Sequence, residues 1–175
     1  NTITTERLVP IPDSIDFKEA ASSLLRGGTA SYLLFDLYPL QKGESLLIHA
    51  GAGGVGQILI QWAKALGATV ITTVGSEEKR AVVEALGADL VINYSQEEIA
   101  PAVRKFLPEG VDVVYDGVGK ATFEASLDSL KLLGMMVSYG NASGAPPAIT
   151  PRKLPGLDTI LLTRPNMPYS ASKKL

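Results

Sequence analysis

The sequence predicts an α/β protein, with a Rossmann-type, doubly wound, parallel six-stranded sheet flanked by helices. Short apolar runs rich in β-branched residues recur along the chain at an even spacing. Most of these runs are continuously apolar, as in strands that are buried on both faces of a parallel sheet. Amphipathic helical patterns fill the intervals, and this alternation predicts right-handed βαβ crossovers.

The elements are predicted in chain order. Asp16 is expected to cap a helix that runs to about Leu25, and Thr29 to start a second helix that runs to about Tyr38. The predicted strands are residues 46–48, 70–72, 90–92, 111–115, 135–139 and 159–163. The last run is strongly apolar and is expected to form an edge of the sheet.

Helix ends are also predicted from local patterns. Residues 55–66 carry one apolar stripe at helical spacing. The tetrapeptide ALGA occurs at 65–68 and at 85–88, and each copy predicts a helix that ends in a C′ glycine before a strand. Residues 133–135, Leu-Gly-Met, suggest another such end. Residues 95–98, Ser-Gln-Glu-Glu, have the form of a capping box and are predicted to open a helix.

Composition excludes several classes of function. The net charge of −2 and the pI near 5.4 give no electrostatic reason to expect nucleic acid or an anionic membrane surface. The chain has no Cys, which fits a reducing cytoplasm and excludes disulfides and thiolate metal sites in these residues. No apolar run approaches the roughly 18 residues of a membrane span. We therefore predict a cytoplasmic protein that binds neither nucleic acid nor membrane and carries no metal site.

A glycine-rich loop follows the first predicted strand and opens the clearest helix. Residues 46–56 read LLIHAGAGGVG, in which Gly51, Gly53 and Gly56 satisfy G-x-G-x-x-G and Gly54 adds a fourth glycine. In a βαβ unit the three fingerprint glycines allow a tight turn, a close approach to a diphosphate and close packing of helix on strand. N–H groups at the helix start hold the anion. The alternative is a glycine-rich turn without a ligand.

The tip of the second strand predicts which dinucleotide binds. An NAD-type site presents a carboxylate to the ribose about 20 residues after the loop, but here the tip is Val74-Gly75-Ser76. Ser76 and Lys79 offer a hydroxyl and a charge to a 2′-phosphate, which predicts NADPH over NADH. Tyr94 is expected to cover the phosphate or the adenine edge. The alternatives are a solvated lysine and an ordinary strand-end tyrosine, and the acidic pair 77–78 argues mildly against a phosphate.

Two further polar residues lie near strand ends. His49 is the only histidine, and its place inside the first strand predicts a hydrogen-bonded structural role rather than acid–base catalysis. Asp116 ends the fourth strand and either orients backbone or ribose, or caps the next turn. Because the one histidine is assigned a structural role, the sequence supports no Ser/His/Asp set, and no catalytic residue is predicted.

Five stretches resemble, in order, the nucleotide-binding domain of the medium-chain dehydrogenase/reductases. They are AGAGGVGQILIQWAKALGA, VGSEEK, VINY, VVYDGVGK and VSYGNASG. The set is most similar to the zinc-independent NADPH:quinone oxidoreductases of the zeta-crystallin-like branch, from about Leu8 to about Tyr169. This resemblance implies hydride transfer from NADPH to a quinone or a similar conjugated carbonyl.

The resemblance also implies the residues that contact NADPH. They are Ala52, Gly53, Gly54 and Val55 at the diphosphate; Gly75, Ser76, Lys79 and Tyr94 at the 2′-phosphate; Gly117 and Val118 near the adenosine or ribose; and Thr29, Tyr139, Gly140 and Asn141 at the nicotinamide half.

Proteins of this family begin with a separate catalytic domain, so we expect this chain to be a piece of a longer protein. Residues 1–15 would be an extended arm left from that domain, residues 16–165 the NADP-binding domain, and residues 166–175 the start of the return to it. Alone, the chain is expected to bind NADPH without turnover and to form a homodimer through the edge strand 159–164. The alternatives are an enoyl-thioester or alkene reductase of the same superfamily, and a structural module that holds NADPH.

Overall fold

The computed structural model describes residues 9–148 and 160–165. The helices are α1 (Phe17–Ser31), α2 (Gly54–Ala65), α3 (Glu77–Ala85), α4 (Ile99–Phe106) and α5 (Phe123–Asp128), and a π-helical turn (Tyr32–Leu37) follows α1. The strands are β1 (Ser45–Ile48), β2 (Thr69–Val74), β3 (Leu90–Asn93), β4 (Val111–Asp116), β5 (Leu130–Ser138) and β6 (Leu161–Thr163).

The strands form one parallel sheet in the order β3-β2-β1-β4-β5-β6. The chain builds one half of the sheet outward from β1 and then crosses to β4 to build the other half. The predicted six-stranded doubly wound sheet is therefore confirmed. In this architecture, ligands bind in the crevice at the carboxyl ends of the strands where the order reverses, which here lies between β1 and β4.

The core consists of two apolar layers, one on each face of the sheet. On β1, Leu46 and Ile48 belong to the layer under α1, α2 and α3, whereas Leu47 belongs to the layer under α4 and α5. All three side chains are fully buried, and burial of each stabilises the fold by about 1.5–3 kcal/mol. Because the side chains of successive residues pack in opposite layers, both faces of the strand require apolar side chains. This explains the continuous apolar runs in the sequence.

The N-terminal helix is longer than predicted. Asp16 caps α1 as expected, since its carboxylate accepts a hydrogen bond from the Glu19 N–H at 2.7 Å. The helix then continues to Ser31, so the predicted end near Leu25 and the predicted new start at Thr29 were wrong. The Thr29 hydroxyl donates to the Leu25 carbonyl at 2.8 Å, a bond typical of an uninterrupted helix. Packing of buried Ala30 in the core outweighs the low helix propensity of the preceding glycines.

The predicted capping box is also absent. Helix α4 begins at Ile99 with Glu98 as its N-cap, and no side chain caps it. Ser95 lies in the turn before the helix, where its N–H donates to the Asn93 side chain and its hydroxyl donates to the Gly75 carbonyl at 3.1 Å. These tertiary bonds replace the local pairing that the sequence suggested.

The glycine helix ends were predicted correctly in two of three places. Gly67 and Gly87 follow α2 and α3 with φ of 81° and 93°, the left-handed conformation of a C′ glycine. Gly134 instead lies inside β5, and the left-handed residue there is Leu133, with φ of 63°. Leu133 lies where the register between β4 and β5 shifts, so an irregularity of the strand, and not a helix end, occupies this position.

Strand β6 forms an edge of the sheet, as predicted, and its Leu161 and Leu162 are about half exposed, at 52% and 49%. The predicted first residue of this strand, 159, lies outside the described residues, as do residues 1–8 of the predicted arm and residues 166–175. None of the helices that the structure describes has the length and apolarity needed to cross a membrane.

Candidate functional site

The loop between β1 and α2 leaves no room for side chains at two of its glycines. A Cβ on Gly51 would overlap the Thr72 hydroxyl of β2. A Cβ on Gly56 would lie 2.6 Å from the Ala50 carbonyl oxygen and 2.7 Å from the Gly51 carbonyl oxygen, so α2 packs directly on the loop backbone. These are the tight turn and the close helix packing that a dinucleotide-binding loop requires.

The N-terminus of α2 is available to an anion. Gly53 is the N-cap, and no side chain caps the helix. The first N–H groups of a helix lack intrahelical acceptors and carry the positive end of its dipole. The structure thus brings the predicted residues Ala52, Gly53, Gly54 and Val55 together at a backbone site that suits a diphosphate.

Arg26 lies beside this site and was missed by the sequence reasoning. Its side chain reaches from α1 across Gly54, where a Cβ would lie 2.5 Å from both the Cδ and the Nε of Arg26. The signal that could have found it is its position one helical turn before Thr29, which the family resemblance had already placed near the cofactor.

The tip of β2 carries no carboxylate, and Tyr94 covers it. A Cβ on Gly75 would overlap the hydroxyl of Tyr94, whose ring therefore lies over the glycine backbone. Tyr94 remains 55% exposed, so it forms an accessible wall rather than part of the core. The structure brings these two predicted residues into contact.

The start of α3 is more crowded than the sequence suggested. Ser76 caps the helix by accepting a hydrogen bond from the Lys79 N–H at 3.5 Å. Its hydroxyl also bonds the carboxylate of Glu78, which is the main cause of the lowered pKa of Glu78. Glu77 points elsewhere, toward Asn93 at 2.6 Å. The Lys79 side chain is exposed and makes no ion pair within the described residues.

The turns after β4 and β5 form a single unit. A Cβ on Gly117 would lie 2.9 Å from the Tyr139 ring, and one on Gly140 would lie 2.6 Å from the Gly117 carbonyl oxygen. The Ser143 N–H donates to the Val118 carbonyl at 2.8 Å. The predicted adenosine and nicotinamide segments are therefore packed backbone to backbone. Burial raises the pKa of Tyr139, which keeps its hydroxyl protonated.

Asn141 has a partner that the sequence reasoning did not name. Its side-chain oxygen accepts a hydrogen bond from the guanidinium of Arg164, just after β6, at 3.0 Å. Thr29, the other residue predicted near the nicotinamide, is buried, and its hydroxyl bonds its own helix. The structure therefore connects Asn141 to the sheet edge, and places a hydrogen bond of the Thr29 hydroxyl within α1.

Asp116 caps the turn that follows β4. Its carboxylate is fully buried and accepts hydrogen bonds from the Val118 and Gly119 N–H groups at 2.8 and 2.9 Å. It also accepts from the hydroxyls of Thr122 and Ser126. Of the two roles left open by the sequence, the structure shows turn capping.

His49 connects this turn to the glycine loop through a buried chain of hydrogen bonds. Its Nε2 lies 2.9 Å from the hydroxyl of Ser126, and its Nδ1 lies 3.2 Å from the hydroxyl of Thr73. Thr73 in turn accepts from the Ala50 N–H at 3.2 Å. Burial lowers the pKa of His49 to about 4, although nearby Asp116 acts to raise it, so the ring is neutral at pH 7. The predicted hydrogen-bonded role is confirmed.

A cavity of about 620 Å³ opens between these turns. Ala50 and Thr73 line it on the glycine-loop side, Tyr94 on the β3 side, and Val118 and Thr122 on the β4 side. It therefore occupies the crevice expected where the strand order reverses. Its remaining wall comes from the starts of α4 and α5, which the sequence reasoning did not connect with the site.

A family model described as zinc-binding dehydrogenase matches residues 54–166. The chain belongs to this zinc-binding dehydrogenase family. Within the residues that the structure describes, no group of three or more His, Cys, Asp or Glu side chains is placed to hold a metal ion. The residues that the structure describes therefore do not fit a zinc site, despite the family's name.

Individual relatives agree with the resemblance drawn from the sequence. The chain is 45% identical to a quinone oxidoreductase from Salmonella typhimurium, over 95% of this chain and 51% of that protein. It is 42% identical to a 2-haloacrylate reductase from a Burkholderia species, over 97% of this chain and 52% of that protein. The chain thus spans about half the length of the curated relatives it matches.

The fold is also similar to a solved structure with a bound dinucleotide. The crystal structure of Escherichia coli quinone oxidoreductase complexed with NADPH matches with a TM-score of 0.87 at 43% identity, over 91% of this chain and 49% of that chain. The resemblance to the quinone oxidoreductases of the medium-chain dehydrogenase/reductases is thereby confirmed.

Proposed function

We propose that this chain is the NADPH-binding part of an oxidoreductase that transfers hydride from NADPH to a quinone or a similar conjugated carbonyl. The observation that carries the proposal is the combination of an uncapped α2 N-terminus with a β2 tip that has no carboxylate. The NADPH complex of the Escherichia coli relative supports it. Residues 16–165 would form the NADP-binding domain, with residues 1–15 and 166–175 leading to the rest of the protein.

The charges at the β2 tip favour NADPH over NADH. An Asp or Glu at position 75 would repel a 2′-phosphate, and Gly75 removes that repulsion. Glu77 is drawn away by Asn93 and by Arg80, whose Nε lies 3.0 Å from it. Glu78 must give up its bond to the Ser76 hydroxyl when a phosphate binds, and Lys79 then supplies a charge-assisted contact.

The residues of this chain would act by binding and orienting the cofactor. NADPH supplies the hydride when it is bound. The α2 N-terminus would hold the diphosphate, and the packed turns after β4 and β5 would set the position of the adenosine and nicotinamide halves. A quinone is already a good electron acceptor, so orientation contributes more than a dedicated acid does. No residue described here is proposed to donate a proton to the substrate.

The first experiment is calorimetric titration of this chain with NADPH and NADH. We expect NADPH to bind more tightly, and Lys79→Ala to remove much of that preference by weakening NADPH binding alone. Loss of one charge-assisted contact costs about 1.5–3 kcal/mol, and less at an exposed site. Lys105→Ala, on the exposed face of α4, is the matched control. Equal affinities for the two nucleotides would refute the proposed preference for NADPH.

A second candidate function is reduction of an activated alkene, which the 42% identity to a 2-haloacrylate reductase favours. Comparing a simple quinone with a 2-haloacrylate or an enoyl thioester, using the full-length protein and NADPH, would distinguish the two reductases. A structural module that holds NADPH without turnover would reduce none of these substrates.

We also propose a homodimer that forms through the β6 edge. The half-exposed Leu161 and Leu162 lie on the edge strand β6, which pairs only with β5 among the described residues, and such edges are usually paired or covered. Sedimentation at micromolar concentration tests this, and a monomer would count against it. A cytoplasmic location stays a prediction, to be tested by fractionation of cells that produce the full-length protein.

A further inference from the structure

The fourth glycine of the loop, Gly54, is not required by the G-x-G-x-x-G fingerprint, which Gly51, Gly53 and Gly56 complete. In the structure, the Arg26 side chain lies directly against this glycine. The space that a side chain at position 54 would need is taken by Arg26, whose Cδ and Nε lie 2.5 Å from a Cβ built there and whose Cζ lies 2.8 Å away. The guanidinium is therefore seated on the first turn of α2.

Among the residues that the structure describes, Arg26 has no acidic partner that would explain this position. Within the described residues it makes no ion pair and no side-chain hydrogen bond, and it is exposed. The carboxylates of Asp16, the N-cap of α1, and of Glu19, in its first turn, bond each other's backbone N–H groups in a capping box. In the described part of the chain, the arginine thus places a positive charge with no ion-pair partner at a helix end that is already positive.

The guanidinium of Arg26 and the positive end of the α2 dipole repel each other unless an anion lies between them. We infer that Arg26 is a ligand of the cofactor diphosphate. The Arg26 side chain would contact the diphosphate from the α1 side, and the backbone N–H groups of α2 would contact it from the opposite side. The inference rests on the proposed function and adds a residue to its site. Guanidinium groups bind phosphate oxygens with two parallel N–H donors, a geometry that a lysine does not reproduce.

The test is titration of the wild-type chain and of Arg26→Gln with four nucleotides: NADPH, NADH, ADP-ribose and 2′-AMP. The first three contain a diphosphate, and 2′-AMP does not. A diphosphate contact predicts that Arg26→Gln weakens NADPH, NADH and ADP-ribose alike, by about 10-fold, and leaves 2′-AMP unchanged. Lys79→Ala should show the converse pattern, weakening NADPH and 2′-AMP but not ADP-ribose.

Two control variants separate a contact from other effects of the charge. Lys18→Gln removes one positive charge from the same helix, on its exposed first turn, and should change none of the affinities. Arg26→Lys keeps the charge but not the paired N–H donors, so it should bind ADP-ribose more weakly than wild type and more tightly than Arg26→Gln. Equal losses in Arg26→Lys and Arg26→Gln would overturn the charge argument.

The results distinguish this inference from the proposed function. If the wild-type chain binds none of the diphosphate nucleotides, the proposed function fails. If it binds them and Arg26→Gln binds them equally well, only the inference fails. A loss confined to NADPH and 2′-AMP would mean that Arg26 contacts the 2′-phosphate, which would also overturn it.

Discussion

Replacing His49 should remove a specific part of the pH dependence of stability. Its ring is fully buried between Thr73 and Ser126, and burial lowers its pKa from 6.5 to about 4. In the unfolded chain the ring has its ordinary pKa of about 6.5. Between these two values the unfolded chain binds a proton that the native chain excludes. Stability is therefore fully present above about pH 6.5 and falls as the pH drops toward 4.

The size of the effect follows from the two pKa values. A tenfold difference in proton affinity is about 1.4 kcal/mol, so lowering the pKa from 6.5 to about 4 amounts to about 3 kcal/mol in full. About 2 kcal/mol of this should already be lost at pH 5. Because His49 is the only histidine, no other side chain has its ordinary pKa between about pH 5 and 8.

Urea unfolding followed by far-UV circular dichroism, at about pH 7.5 and about pH 5, measures the loss. Wild type should lose about 2 kcal/mol more than His49→Gln over this interval. Ser126→Ala is the control, because it removes one partner of the ring but leaves the ring to titrate. The same loss of stability in wild type and in His49→Gln would refute the reasoning.

Two further predictions concern packing and a buried carboxylate. Gly56→Ala places a methyl group 2.6 Å from a loop carbonyl oxygen, so the unfolding free energy should fall by about 1–3 kcal/mol or more. The control is Gly27→Ala, which has nothing within 4 Å and should raise the unfolding free energy by about 0.5–1 kcal/mol. Thermal unfolding that ranks the two variants in the opposite order would contradict this. Asp112→Asn should cost about 1–3 kcal/mol in urea unfolding, because Asp112 accepts hydrogen bonds from the N–H and hydroxyl of Ser45 at 2.9 and 2.7 Å and pairs with Lys131. Burial acts to raise the pKa of Asp112, but the bonds from Lys131 and Ser45 lower it overall, so the carboxylate is charged and an amide cannot replace it.

Local patterns were sufficient to predict much of this protein. The strands of the sheet, the glycine loop and the C′ glycines at 67 and 87 are specified by residues that are adjacent or one helical turn apart. Apolar periodicity and the positive φ of a C′ glycine depend only on residues that are close in the chain, so both can be predicted without knowledge of the tertiary structure. The same holds for the absent carboxylate at Gly75, because the position of the β2 tip follows from the position of the loop.

The contacts between elements depended on the tertiary structure. The strand order places Ser126 beside His49 and Tyr94 over Gly75, although each pair is far apart in the chain. Packing also overrode local preference, since α1 continues through its paired glycines and Ser95 bonds a neighbouring strand end instead of capping α4. Short-range chemistry therefore determined which elements form and where the proposed diphosphate site lies. Only the packing of those elements against one another brought Arg26 to the first turn of α2.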